Sequence, residues 1–158
     1  MDSEASSGHP EALIMMDRKA EVENKVAKVR GWLSSAGFDG VLLKKIPSYS
    51  WLTAGGMNQV PILTEVGATS LLVTQKEKYV LSSRIESPRA MEEERLKEFG
   101  FKLLEYDWFQ PREAEMVGQA VSGGRVACDM DAYGLDNAAV ELRRLRYVLQ
   151  PEEAERYR

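Results

Sequence analysis

The chain has 158 residues, 44% of them apolar and 29% charged, with a net charge of −4. That length supports one domain with its own core and is short for two. The acidic balance argues against nucleic acid as a partner, no apolar run reaches the roughly 18 residues of a membrane-crossing helix, and the lone Cys128 leaves no internal disulfide and fits a reducing, cytoplasmic compartment.

Residues 1–16 are small, polar and turn-prone, without the basic start and apolar stretch of a secretory signal, and read as a flexible arm. His9, the only histidine, falls in this arm, where a side chain is solvated rather than held for catalysis. Over 17–36, Val22, Val26, Val29 and Leu33 recur on one helical face, and Gly37 supplies the stop. A short buried strand follows over 40–44. Pro47 breaks it, Ser48 is placed to cap a short helix running to Thr53, and Gly55 and Gly56 end that helix. The apolar run 68–74 and the segment 79–82, joined by a polar turn, have hairpin spacing. Ser87, Pro88 and the acidic residues 92–94 predict a helix closed by Gly100. Then come a strand in "FKLLEYDW", a helix in "PREAEMVGQAV" and a strand in "GGRVACDM". The helix predicted in "LDNAAVELRRLRYVL" puts Leu135, Ala139, Leu142 and Leu149 on one face, and Pro151 with Glu152 and Glu153 opens another. Alternating strands and helices, with one hairpin among them, predict an α/β fold: a central mixed β-sheet with helices on both faces.

Most candidate chemistry has a structural explanation. "TAGGMNQ" lacks the lysine and spacing of a phosphate loop, no serine has a usable histidine, and no Cys/His cluster offers metal spacing. "EEERLKE" reads as a solvated helix face. Asp129 and Asp131 read as turn carboxylates bonding backbone rather than a hard-cation site. Cys128 reads as a core thiol, and the basic "RRLRY" at 143–147 as an ion-pairing face or domain contact. The segment "SYSWLTAGG" at 48–56 is different. It follows the C-terminal end of the first strand, where α/β sheets place functional loops, and the irregular "GGMNQVP" extends it.

The stretch "KVRGWLSSAGFDGVLLKKIPSYSWLTAGG" resembles the opening of the amino-terminal domain shared by creatinase, prolidase and Xaa-Pro aminopeptidases. Ala36, Gly37, Phe38 and Asp39 match the family's helix-ending turn, and residues 40–43 match its first strand. Ser48, Trp51, Leu52, Thr53 and Gly55 match its "N-x-x-Y-L-T-G" segment, with Ser for Asn, Trp for Tyr and Ala54 interposed. The later order, "ATSLLVT", "KYVLSS", "IESPRAMEEE", "RVACDMD" and "PEEAERYR", also fits, so the resemblance covers residues 21–158.

The resemblance implies a ribonuclease H-like domain of the creatinase amino-terminal type. Residues 1–16 are then an arm, 17–149 the domain, and 150–158 the start of a helix leading to a catalytic domain outside this chain. That second domain holds two divalent metal ions (Mn, Co or Zn) through two Asp, one His and two Glu in peptidase members, so the present chain carries no catalytic residue, metal ligand or cofactor. The implied role is to shape the pocket for a peptide substrate and to support a homodimer, without nucleic acid or membrane as partners. Trp51 is the candidate apolar wall at the pocket edge, and Thr53 and Asn58 are candidate hydrogen-bonding contacts. The alternatives are the same domain in a non-peptidase creatinase-like protein, or a protein-interaction module.

Overall fold

The computed structural model describes residues 10–58 and 64–156. Helix α1 (Pro10–Ala36) is the longest element and ends where Gly37 turns to a φ of 75°. Its stripe of Val22, Val26, Val29 and Leu33 is fully buried. Strands β1 (Gly40–Lys45), β2 (Val66–Thr74), β3 (Lys78–Ser83), β4 (Lys102–Tyr106), β5 (Val126–Cys128) and β6 (Asp136–Asn137) form one six-stranded sheet in the order β4-β3-β2-β1-β5-β6. β2 is antiparallel to β1 and β3, while the β3–β4, β1–β5 and β5–β6 pairs are parallel. The sheet is therefore mixed, as expected.

Alternation along the strands divides the core between the two faces. Val41, Leu43, Leu71, Val73 and Val80 meet the α1 stripe, together with Tyr49 and Leu52 of α2 (Ile46–Leu52). Leu42, Leu72, Leu81 and Val126 point the other way, onto Val117 of α3 (Glu113–Ala120). Both faces are covered, which is why the strands read as continuous apolar runs. Helices α4 (Ala139–Tyr147) and α5 (Pro151–Arg156) follow β6. Among the described residues no helix is long and apolar enough to cross a membrane.

Several local expectations are corrected. The first helix begins at Pro10 rather than residue 17, so residues 10–16, assigned to the arm, are its first turns; they carry no buried side chain, hence no periodicity to mark them. His9 lies outside the described residues. Ser48 is not a cap: Ile46 and Pro47 open α2, and Ser48 is buried within it. The helix expected up to Gly100 is a single π-helical turn, Arg89–Glu93, after which Arg95 takes a φ of 63°. Past that turn Leu96 and Phe99 enter the core, and Phe101 follows them just before β4. Ser87 bonds the Glu105 carboxylate instead of capping. Leu135 precedes α4 and Leu149 is half exposed beyond it, leaving Leu142 as the buried anchor of that helix.

Candidate functional site

The segment after β1 builds a compact corner. α2 ends in a tight turn, with Ala54 at φ 55° and Gly55 at φ 103°, that reverses the chain. Thr53 is completely buried; its hydroxyl donates to the Tyr49 carbonyl at 2.8 Å and accepts the Gly56 N–H at 3.0 Å. Tyr49 donates its phenol to Glu94 at 3.0 Å, and the other Glu94 oxygen accepts the Met57 N–H at 3.1 Å. Burial pushes both the Tyr49 phenol and the Glu94 carboxyl above their ordinary values, with the negative Glu94 adding to the effect on Tyr49. Asn58 is also buried; its amide pairs with the backbone of Thr69, donating to the carbonyl and accepting the N–H at 2.9 Å. Thr53 and Asn58 thus direct their polar atoms at backbone, closing the corner.

Trp51 is placed differently. It is half-buried and lines a cleft of about 390 Å³ with Lys25, Ser50, Gly55, Glu153 and Arg156. A neighbouring cleft of about 470 Å³ is lined by Ile14, Arg18, Ala54 and Arg156, among others. Between them lies a buried charge network. The Lys25 ammonium, 1% exposed, donates to Glu21 at 2.7 Å, Glu153 at 2.9 Å and the Trp51 carbonyl at 2.8 Å. An ammonium has three protons, so this one is fully engaged. It also sits 5.5 Å from the Trp51 ring centre. Arg156 closes onto Glu21 at 2.7 Å. Burial pushes the Glu153 carboxyl up, but the Gln150 N–H and Lys25 outweigh it and hold the group below its ordinary value.

The remaining candidates take structural positions. Asp129 is buried and accepts the backbone N–H groups of Lys44 and Lys45 at 2.9 and 3.0 Å, tying β5 to the end of β1. Cys128 is a core thiol pushed up to about 11 by burial. Among the described residues no three His, Cys, Asp or Glu side chains gather to hold a metal ion. The arrangement offers walls, charges and donors for binding. Glu94, Glu21 and Lys25 are the members that sequence pattern conceals. Glu94 lies in an acidic run that looks solvated, and Glu21 and Lys25 each sit one position before a buried valine, at the edge of the α1 stripe.

No protein-family model matches the sequence, and no curated protein matches it. Solved structures do share the fold. A dipeptidase PepE from Mycobacterium ulcerans aligns with TM-score 0.66 and 17% identity over 87% of this chain and 39% of its own. An Xaa-Pro dipeptidase from Bacillus anthracis aligns with TM-score 0.59 and 16% identity, over 85% of this chain and 38% of its own. A creatinase/prolidase N-terminal domain of an X-Pro dipeptidase from Streptococcus pyogenes aligns with TM-score 0.56 and 13% identity, over 77% of this chain and 98% of its own. The chain has the fold of these amino-terminal domains and spans about two fifths of the full-length dipeptidases it matches.

Proposed function

We propose that this chain is the non-catalytic amino-terminal domain of a cytoplasmic Xaa-Pro peptidase of the prolidase and aminopeptidase P kind. The observation that carries the reading is the shared fold with the amino-terminal domain of an X-Pro dipeptidase along nearly that domain's whole length. In this reading the bond is broken in a carboxy-terminal domain, where two divalent ions, Mn, Co or Zn, activate water. The present domain shapes the peptide pocket and supports a homodimer. Trp51, at the mouth of its cleft, is the apolar contact at the pocket edge. Thr53 and Asn58 act on the pocket through the corner they hold rather than by touching substrate.

The test uses the full-length gene product, loaded in turn with each metal and assayed on an Xaa-Pro dipeptide and on the same dipeptide without proline. Hydrolysis confined to the proline substrate is expected, with the 158-residue chain alone inactive. Trp51→Ala is expected to lower kcat/KM about tenfold, mainly through KM, because an apolar wall binds ground and transition states alike. No proline-dependent hydrolysis with any metal overturns the peptidase reading. Unchanged kinetics in Trp51→Ala removes Trp51 from the pocket.

A further inference from the structure

A second constellation lies where α4 crosses the ends of β1 and β5. Lys45 at the end of β1, Ser48 in the first turn of α2, Asp129 after β5, and Leu142, Arg143 and Arg146 on α4 line a notch of about 20 Å³. That is space for about one water molecule, far below a metabolite pocket, so a ligand seats only a single headgroup at its mouth. Arg143 and Arg146, three positions apart, share a helix face.

The charges in this notch are unevenly matched. Asp129 is the one carboxylate lining it, and both of its oxygens already accept backbone N–H groups. Among the described residues neither Arg143 nor Arg146 has a carboxylate within 4.0 Å. Burial disfavours the charged form of Arg146; Asp129 opposes that effect and Arg143 adds to it. Lys45 reaches Glu65 at 3.2 Å, but Glu65 is 78% exposed and such a pair holds weakly.

Ser48 is the independent sign. It is only 5% exposed, yet its hydroxyl makes no hydrogen bond with any described residue. The other buried hydroxyls among the described residues, those of Tyr49, Thr53, Thr69, Ser70, Thr74, Ser82 and Ser87, all have partners. The Ser48 hydroxyl keeps contact with solvent and lines a notch flanked by cations, so it is free to donate to a group seated there.

We propose that this notch binds one small oxyanion, a carboxylate or phosphate headgroup. Arg143 and Arg146 supply charged donors, Lys45 attracts from the rim, and the Ser48 hydroxyl donates from the floor. Guanidinium forks suit a group with several acceptor oxygens, and a neutral buried donor adds selectivity over a spherical anion. The site is independent of the peptidase reading.

The experiment titrates the chain with inorganic phosphate, succinate and chloride at constant ionic strength, following backbone amide and arginine Nε signals by NMR. Saturable shifts at Ser48, Arg143 and Arg146 are expected with phosphate or succinate, and the stronger of the two identifies the headgroup. Arg143→Gln and Arg146→Gln, both at accessible positions on α4, are expected to weaken binding about tenfold each, the loss of one charge-assisted hydrogen bond. Ser48→Ala is expected to weaken it several-fold, and Arg112→Gln, just before α3, to leave it unchanged. Shifts that do not saturate, that chloride reproduces, or that survive Arg143→Gln and Arg146→Gln overturn the site. Because the two arginine variants leave the core untouched, misfolding of Ser48→Ala does not blunt the test.

Discussion

At Gly56 the chain passes so close to the end of α2 that no side chain fits. A Cβ there would lie 2.6 Å from the Glu94 carboxylate, 3.0 Å from the Tyr49 ring and closer still to the Thr53 hydroxyl. These are the groups that close the corner, so relief of the clash breaks either the Thr53 bond or the Tyr49–Glu94 bond. Gly56→Ala is therefore expected to destabilise the domain by about 1–3 kcal/mol, as overpacking does. Gly31→Ala is the contrast. Gly31 is exposed inside α1 with open space where its Cβ would go, so the change is expected to stabilise by about 0.5–1 kcal/mol. Urea denaturation measures both through the midpoint at constant slope. An unchanged midpoint for Gly56→Ala means that the corner is looser than the packing here. The "GG" at 55–56 is visible in sequence as a break, but two different reasons stand behind it: a positive φ at Gly55 and a close approach at Gly56. The second depends on Glu94, which is distant in sequence and adjacent only in the fold.

Elements carry the next layer. The α1 stripe is legible because burial and period coincide at Val22, Val26, Val29 and Leu33. Its charged members Glu21 and Lys25 are not, because what makes them internal is the arrival of α5. That helix buries none of its own residues and is held to the body by Lys25–Glu153 and Arg156–Glu21. Its docking is therefore electrostatic and sensitive to acid. The Glu153 carboxyl is held below its ordinary value when folded. A lowered carboxylate contributes stability that is fully present above its ordinary value of 4.5 and lost as pH falls through the lower folded value. Protection factors of the amides across 152–156, each rate divided by the intrinsic exchange rate at that pH, are expected to fall through that acid window while the amides of β1 and β2 stay protected. Glu153→Gln should remove most of the pH dependence. Flat protection of α5 through the window would show that something other than this ion pair holds it.

Across the whole molecule, the legible features are those that local pattern and fold share. Continuous apolar strands, hairpin spacing and alternating helices predict a mixed sheet covered on both faces, and the sheet has that form. The helix expected from Ser87 to Gly100 escaped because Arg95 turns to a φ of 63°, where the chain leaves the helical path before Leu96 and Phe99 enter the core. The anion notch escaped for a different reason: Ser48 and Arg143 are far apart in sequence, and only the β1–β5 pairing brings α2 and α4 together. That pairing also sets the last expectation. Cys128 is fully buried on β5, which is flanked by β1 and β6, and burial pushes its thiol up to about 11. The thiolate is the reactive form, so near neutral pH both access and ionisation require β5 to leave the sheet. Separating β5 from β1 divides the two packed faces and amounts to global unfolding. Labelling with a thiol-reactive disulfide at pH 8 is expected to be slow and to accelerate with urea along the global unfolding curve. Rapid labelling that ignores urea would mean that β5 opens by itself, and the sheet would then end at β1 as a stable unit.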